Sequence, residues 1–409
     1  MQLKYPGTVV LLAFVLLSAP APGYGQKISS PFSQAQFVPN ISAILDFSCQ
    51  FRNISDRDFQ SLSLPGITLG NEEFSPRGFN LNYFELAIQS VVDPFFDLFS
   101  TFHIKEGEFA IEEAYLKTRS LPAGFQLKIG KFLSSLGRLN SLHDHVWNFS
   151  DPPLIYHALF GEGNLNELGF QLNWLAPLAT YLSVGVEILK GENAHSFQNE
   201  DFTLKEKVWE KTARPLSVFF VKSSFESGNL IALYGAGLAL GDIHRLQSPG
   251  DFGITADSRI IALDLTLKYL LDSYRYLNFQ FEYFHRKISG DKIFSDNQIP
   301  VQALDQSHSG LYAELVFRFN RRWRTGLRVD RLLQVDDLHL NPLFPDSRFL
   351  PDHPLKLSGM LEFNPSEFSR LRLQYNFNRS RTLENRAFDL HEFFIHVNLA
   401  IGAHGAHKF

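Results

Sequence analysis

The sequence has a single cysteine and no long apolar run, and these scarcities exclude several classes of protein. One cysteine among 409 residues excludes a disulfide-rich scaffold and any cysteine-based zinc or iron–sulfur site. The 27 glycines and 20 prolines are too few for a collagen-like or low-complexity chain. A formal net charge of −5 argues against a nucleic-acid partner. No run of about 18 apolar residues occurs, which excludes helical membrane spans.

Aromatic residues are abundant instead. Phenylalanine accounts for 40 positions, aromatic residues make up 14% of the chain and hydrophobic residues 44%. This content is too high for a disordered chain. The length allows two or three soluble domains or one large all-β body.

The first 25 residues have the features of an export signal. Lys4 is the only charge before residue 26, and Val9 to Leu17 is an apolar stretch followed by Pro20 and Pro22. Small residues around Tyr24 supply a cleavage site. We predict a signal peptide over 1–25 and a short lead segment over 26–39; the alternative is a buried helix or strand.

Apolar and polar residues alternate with period two through the rest of the chain. In one example, Leu371, Leu373, Tyr375 and Phe377 alternate with Arg370, Arg372, Gln374 and Asn376. Side chains of a strand point to opposite faces in turn, so each such stretch predicts a strand with one apolar and one polar face. Sixteen strands are predicted, centred near residues 45, 85, 99, 114, 128, 170, 184, 220, 234, 264, 280, 315, 327, 359, 373 and 397.

The predicted connections alternate between tight turns and long polar loops. The long ones fall at about 52–78, 134–165, 191–213, 241–256, 288–306, 333–354 and 379–390. Short turns at one end and long loops at the other are typical of an outer-membrane barrel with an even strand number. We therefore predict an all-β fold over 40–409: a 16-stranded antiparallel transmembrane β-barrel in the outer membrane of a Gram-negative bacterium. Outer-membrane lipid would surround it.

The last predicted strand ends in an aromatic residue. Apolar residues occupy alternate positions from Phe393 to Ala403, and the chain stops at Phe409. A terminal aromatic on an amphipathic last strand resembles the assembly signal of bacterial outer-membrane proteins. The resemblance implies recognition by the outer-membrane assembly machinery through Phe409.

A barrel of this size is too wide for its own side chains to fill, so it leaves an aqueous channel. The predicted function is passive diffusion of small solutes or ions through a porin. The long connection Ser134 to Glu162 is the third external loop, and we expect it to fold inward as in 16-strand porins; the alternative is an outward surface loop. Its charged residues are Arg138, His143, Asp144, His145, Asp151 and Glu162.

Charged residues on the polar faces of the strands are the predicted pore lining. They are Arg318, Arg322, Arg324, Arg328, Arg370 and Arg372 on late strands, and Asp46, Glu85 and Glu112 on early ones. An arginine-rich wall facing an acidic loop would favour anions locally. The alternative is that some of these arginines lie near the rim and pair with lipid headgroups or nearby acids.

Two stretches resemble known outer-membrane families. Ile111–Leu116 and Phe125–Phe132 resemble the phosphate-selective porin group (porin O and P type), in which a comparable strand ends in Gly-Lys/Gln-Phe before its inward loop. Gly137–Asn140, His143, His145, Trp147, Asp151-Pro152 and the tail His404–Phe409 resemble sequences labelled zinc-regulated TonB-dependent outer-membrane receptors. The resemblance to other porins implies a homotrimer.

The receptor label implies uptake of a metal or metal complex as an alternative function. A TonB-dependent receptor resembles a 22-strand barrel filled by a plug of well over a hundred residues. Only Gln26 to Pro39 precede the first predicted strand, so we do not expect a plug or TonB-driven transport.

Metal binding and catalysis are the remaining alternatives. His143 and His145 would point one way in an extended chain, as metal ligands do, yet loop histidines are usually solvated and no third ligand is evident. His404 and His407 would face opposite sides of a regular strand. Ser141, His143, Asp144 and His145 could be arranged as the Ser-His or Asp-His pair of a barrel hydrolase, but no nucleophile motif surrounds them and enzyme barrels are smaller. We therefore predict no enzyme activity, no cofactor and no metal site. A structural anchor with a plugged lumen stays open as a further alternative.

Overall fold

The computed structural model describes residues 38–60, 62, 75–161, 163–204, 207–247, 252–294, 301–336, 354–383 and 386–402. The predicted signal peptide, His404, His407 and Phe409 lie outside these ranges. Two α-helices occur in the described part, α1 (Asp56–Gln60) and α2 (Leu154–Phe160). Neither has the length and apolar character that a membrane-crossing helix requires.

Strands make up most of the described chain. In chain order they are β1 (Asn40–Arg52), β2 (Gly78–Val91), β3 (Phe96–Lys105), β4 (Glu108–Thr118), β5 (Phe125–Leu133), β6 (Asn166–Leu175), β7 (Leu182–Leu189), β8 (Phe202–Leu204), β9 (Lys207–Trp209), β10 (Leu216–Ser227), β11 (Leu230–Gln247), β12 (Phe252–Leu270), β13 (Tyr276–Phe294), β14 (Val301–Arg318), β15 (Trp323–Val335), β16 (Leu355–Ser366), β17 (Ser369–Leu383) and β18 (Arg386–Gly402).

All of these strands except β8 and β9 form one closed antiparallel ring. Neighbours in the chain are neighbours in the ring, and β18 pairs with β1 to close it. Strands β8 and β9 form a separate two-stranded sheet. The ring confirms the predicted 16-stranded barrel, and each of the sixteen predicted centres falls within a ring strand.

The two faces of the sheet differ because the apolar rows of neighbouring strands are in register. Leu361 of β16 pairs with Leu373 of β17, which pairs with Ile395 of β18. Leu361 and Leu373 are exposed on the outer surface. The next row, Glu362, Arg372 and His396, is polar and buried on the inner side. A shift of one residue would exchange the two faces, so the alternation fixes the register.

Three predicted loops were wrong, because strands continue through much of 241–256, 288–306 and 379–390. Strands β11 to β14 are 18 or 19 residues long. Their far ends keep both the ladder pairing, as between Leu246 and Gly253, and the alternation of apolar residues. Ile243, Ile254, Ile288 and Leu304 are among the residues of a buried cluster there. The barrel wall is therefore taller on this side.

Candidate functional site in the barrel interior

Residues 134–165, which we call the connecting segment, join β5 to β6; all but residue 162 are described. Asn140 ties the two ends of this segment together. Its amide nitrogen donates to the carbonyl oxygens of Ser134 (2.8 Å) and Leu165 (3.1 Å), and its amide oxygen accepts from the Leu165 N–H (2.7 Å). Glu187 of β7 accepts from the Ser134 hydroxyl and the Ser135 N–H. Both ends of the connecting segment are thus fixed at the wall.

The middle of the connecting segment contacts strands on the far side of the ring from its ends. Strand β15 lies eight positions from β5 in either direction around the ring. Arg328 of β15 donates to the Asp151 carboxylate (3.0 Å) and to the Asp151 carbonyl oxygen (2.8 Å). Arg372 of β17 donates to the Trp147 carbonyl oxygen (2.7 Å). These contacts place Asp151 and Trp147 against the inner face of the wall opposite β5.

The side chain of Asp151 accepts hydrogen bonds from several residues of the wall. Besides Arg328, its carboxylate accepts from Lys356 (2.7 Å), Asn376 (3.1 Å) and Gln374. Burial alone would raise the pKa of this carboxyl, but the Arg328 and Lys356 cations hold the pKa well below its usual range. Asp151 is therefore a charged anchor that joins the connecting segment to β15, β16 and β17.

The depressed pKa of Asp151 makes the anchor pH-dependent in a defined direction. Because this pKa is lower in the folded protein than in the unfolded chain, the contribution to stability is complete above the ordinary value of about 3.9 and is lost as the pH falls further. We expect the difference in unfolding free energy between the wild type and Asp151→Asn to be constant from pH 7 to pH 5. Below about pH 4 the difference should shrink. Urea unfolding in lipid vesicles at each pH measures it, and a gap that widens in acid would contradict the assignment.

Glu282 of β13 forms a second anchor. Its carboxylate is fully buried and accepts from the backbone N–H groups of Arg138 (2.7 Å) and Leu139 (2.9 Å). The hydroxyls of Tyr156 (2.8 Å) and Tyr312 donate to it as well. Burial and the Glu282 charge hold the pKa of Tyr156 well above its usual range, so this hydroxyl remains a donor.

Gly137 lies where this second anchor leaves no room for a side chain. Its φ is +77°, and an added Cβ would lie 2.6 Å from Glu282 Oε2 and 2.7 Å from the Tyr156 hydroxyl oxygen. We expect Gly137→Ala to destabilise the folded protein by more than the ~1–2 kcal/mol that a left-handed backbone alone costs. Gly228→Ala is the matched control, because Gly228 has a φ of +57° and open space around it. Equal losses in urea unfolding would show that the anchor is not tightly packed.

Helix α2 carries an apolar cluster into the same interior. All seven of its residues are buried. Ile155, Tyr156 and Phe160 belong to a cluster that includes Phe284 of β13 and Leu332 of β15. The helix ends at Gly161, whose φ of +78° is a conformation that glycine adopts without strain. The connecting segment is therefore held by apolar packing as well as by charge.

Most of the predicted arginines are engaged by carboxylates. Glu362 of β16 is 1% exposed and accepts two bonds from Arg324 (2.6 and 2.9 Å). Arg372 bonds the same carboxylate (2.9 and 3.0 Å), and Arg370 lies 4.0 Å from it. Arg328 forms ion pairs with both Asp151 and Asp330. A wall of four arginines is present, but nearby carboxylates balance much of its charge.

Arg318 and Arg322 lie at the turn between β14 and β15. The Arg318 guanidinium donates to the carbonyl oxygens of Asn320 and Arg321 in that turn, and Arg322 is exposed. Asp46 of β1 is buried and bonded by Asn82 (2.6 Å), His396 (2.7 Å) and Asn398 (2.9 Å). These two arginines are at the rim, whereas Asp46 is on the inner wall.

The predicted acids Glu85 and Glu112 meet the predicted histidines. His143 Nδ1 lies 3.1 Å from Glu112, and its Nε2 lies 2.9 Å from Glu113. His145 Nδ1 lies 3.2 Å from Glu85. Burial alone would lower the pKa of His143, but the carboxylates of Glu112 and Glu113 raise the pKa well above its usual value. The connecting segment is thus bonded to β2 and β4 through His143 and His145, in addition to its contacts with the wall opposite β5.

Two cavities border the connecting segment. One, of about 1000 Å³, is lined by residues that include Asp46, Glu112, Asp144 and Asp151. The other, of about 500 Å³, is lined by Arg138 and Ser141 of the connecting segment and by strand residues such as Lys222. The same segment therefore borders water-accessible space on more than one side.

Several carboxylates that hydrogen-bond or pair with other groups in this interior were not identified from the sequence. They are Glu187, Glu282, Glu314, Asp330 and Glu362. Each lies on the inner, polar side of its strand, and that position was the only available signal. His103 of β3 was missed for the same reason; its Nε2 lies 2.6 Å from Glu112 and 3.2 Å from Glu85.

A closed ring of sixteen antiparallel strands, apolar outside and charged inside, is the barrel fold of bacterial outer-membrane porins. Solved structures with this fold include the outer-membrane channel DcaP of Acinetobacter baumannii (TM-score 0.54, 11% identity, covering 90% of this chain and 99% of that one). An anion-selective porin from Comamonas acidovorans has a TM-score of 0.54 at 9% identity, covering 89% of this chain and 100% of that one. OmpT of Vibrio cholerae has a TM-score of 0.53 at 9% identity, covering 90% and 99%.

The chain belongs to the same family as an uncharacterized protein of Aquifex aeolicus strain VF5. The two are 45% identical over 391 residues, which is 93% of this chain and 82% of the Aquifex protein. No protein-family model matches the chain. The resemblance to porins of the O and P type therefore stays a prediction.

Proposed function

We propose that the protein is an outer-membrane porin, a water-filled channel for the diffusion of small solutes. The observation that carries the proposal is the closed sixteen-strand ring with an apolar outer face and a charged inner face. In hydrocarbon every backbone N–H and C=O must be paired internally, which a closed ring achieves. A ring of this size leaves an aqueous lumen.

The connecting segment is the constriction in this proposal. Its contacts with β13, β15 and β17 support a position inside the lumen, where it would limit the size of a passing solute. Arg138, His143, Asp144, His145 and Asp151 would then border the water path. Ion selectivity is set by the charges at the narrowest point.

We expect the arginines to give a preference for anions, and we expect it to be weak because nearby carboxylates pair with most of them. Glu362 and Asp330 compensate much of the positive charge of Arg324, Arg328 and Arg372. Arg370 is farther from Glu362 than Arg324 and Arg372 are. The positive electrostatic potential that attracts an anion is therefore weaker than four unpaired arginines would produce.

A non-conducting structural anchor is a second candidate, because the apolar packing around α2 favours a filled interior. Swelling of liposomes that contain the folded protein separates the two. A porin admits arabinose and excludes sugars above a size limit, so swelling rates should fall with sugar size. Liposomes that do not swell with the smallest sugar would support the anchor and overturn the porin.

A further inference from the structure

Four side chains from four separate elements meet at one point of the inner wall. They are Glu85 of β2, His103 of β3, Glu112 of β4 and His143 of the connecting segment. One ligand atom from each lies within 4.8 Å of all the others. His103 Nε2 lies 2.6 Å from Glu112 Oε2 and 3.2 Å from Glu85 Oε2. His143 Nδ1 lies 3.1 Å from Glu112 Oε2 and 3.9 Å from Glu85 Oε2.

These separations match the size of a small transition-metal site. Four ligands bound tetrahedrally at about 2.0–2.1 Å lie about 3.3 Å from one another. The four histidine–carboxylate separations, 2.6 to 3.9 Å, bracket this value. Two imidazoles and two carboxylates suit ions such as Zn²⁺, whereas Ca²⁺ takes about six to eight oxygen ligands at longer distances.

Glu113 orients His143 in the way a metal ligand requires. Its Oε2 lies 2.9 Å from His143 Nε2, and its Oε1 accepts from the Leu133 N–H at 2.9 Å. A carboxylate on one ring nitrogen turns the other toward the metal and makes it a better ligand. The ladder between β3 and β4 skips Glu112, because Thr101 pairs with Glu113 and Phe102 with Ile111. This bulge lets two consecutive glutamates reach the same cluster.

Charge and access are also suitable. His103 and Glu112 line the cavity of about 1000 Å³, so an ion can reach them through water. Two carboxylates balance a divalent charge, and Glu85 is 1% exposed. The competing account is that protonated imidazoles pair with these carboxylates and no metal binds.

We infer that Glu85, His103, Glu112 and His143 bind a divalent transition-metal ion, which fastens the connecting segment to the wall of β2, β3 and β4. Glu113 positions His143. This inference goes beyond the proposed porin function and does not depend on it, since a non-conducting barrel would hold the same site.

Zinc binding to the full-length protein tests the site. The protein is purified in detergent without an affinity tag, in a His404→Ala/His407→Ala background so that the tail histidines do not contribute. Competition with a chromophoric chelator gives the affinity and the stoichiometry. We expect one zinc ion per chain, a loss of more than about 100-fold in affinity for Glu112→Gln and for His143→Ala, and a loss of about 10- to 100-fold for Glu113→Gln. His391→Ala, at an exposed histidine of β18, should bind as the parent does.

Folding is checked for each variant by heat-modifiable mobility. Zinc affinities of folded Glu112→Gln and His143→Ala equal to the parent's would overturn the inference, as would less than one ion per chain in the parent. X-ray absorption of the zinc-loaded parent decides the matter without any variant. Two imidazoles with oxygen ligands support the site, and a spectrum without imidazole scattering refutes it.

Discussion

Asp151→Asn is expected to release the connecting segment from the wall and to enlarge the single-channel current step. The carboxylate accepts from Arg328, Lys356, Gln374 and Asn376, and an amide of the same size cannot satisfy two cations. Breaking a buried charge pair by removing one partner costs roughly 3 kcal/mol. Planar-bilayer recordings measure the step, and urea unfolding in vesicles measures the stability.

The enlarged step depends on where the charge is removed. Asp272→Asn is the matched control, because Asp272 lies in the exposed turn between β12 and β13 and bonds Arg275 and the neighbouring Tyr274 N–H of the same turn. This control should leave the current step unchanged. If Asp151→Asn folds and conducts as the wild type does, the connecting segment does not set the width of the channel.

Glu362→Gln is expected to shift ion selectivity toward anions. Glu362 compensates Arg324 and Arg372 directly and Arg370 at 4.0 Å, so its loss exposes the field of three arginines. It should also cost about 3 kcal/mol or more of stability, because buried cations lose their partner. The reversal potential in a KCl gradient reports the selectivity.

The control for this change removes an equal charge elsewhere. Glu226 is exposed at the end of β10, beside a short turn. Glu226→Gln should leave the reversal potential at the wild-type value. An unchanged reversal potential for folded Glu362→Gln would mean that these arginines do not face the ion path.

The strands were predictable from the sequence because the alternation of apolar and polar residues along a strand is visible within a few neighbouring positions. Leu371, Leu373 and Tyr375 alternate with Arg370 and Arg372 within a few residues. The apolar set faces lipid and the charged set faces the barrel interior. The closed ring of sixteen followed from repeating that pattern. Loop lengths were less predictable, because the alternation in β11 to β14 continues past residues that look like loop.

Partners across the interior were not predictable, because they come from distant parts of the chain. Arg328 was expected on the inner wall, but Asp151 is 177 positions away and no local pattern joins them. The same holds for the cluster around His143. His143 and Glu112 were both named, yet their meeting depends on a bulge in β4 and on the path of the connecting segment. His103 was missed because a single inward histidine on a strand carries no signal by itself.

The current through single molecules of the folded wild-type protein in a planar bilayer tests the central claim most directly. A barrel with a narrowed aqueous lumen predicts discrete current steps proportional to voltage, smaller than those of Asp151→Asn. Folded protein that inserts into the bilayer and yields no current steps would contradict it.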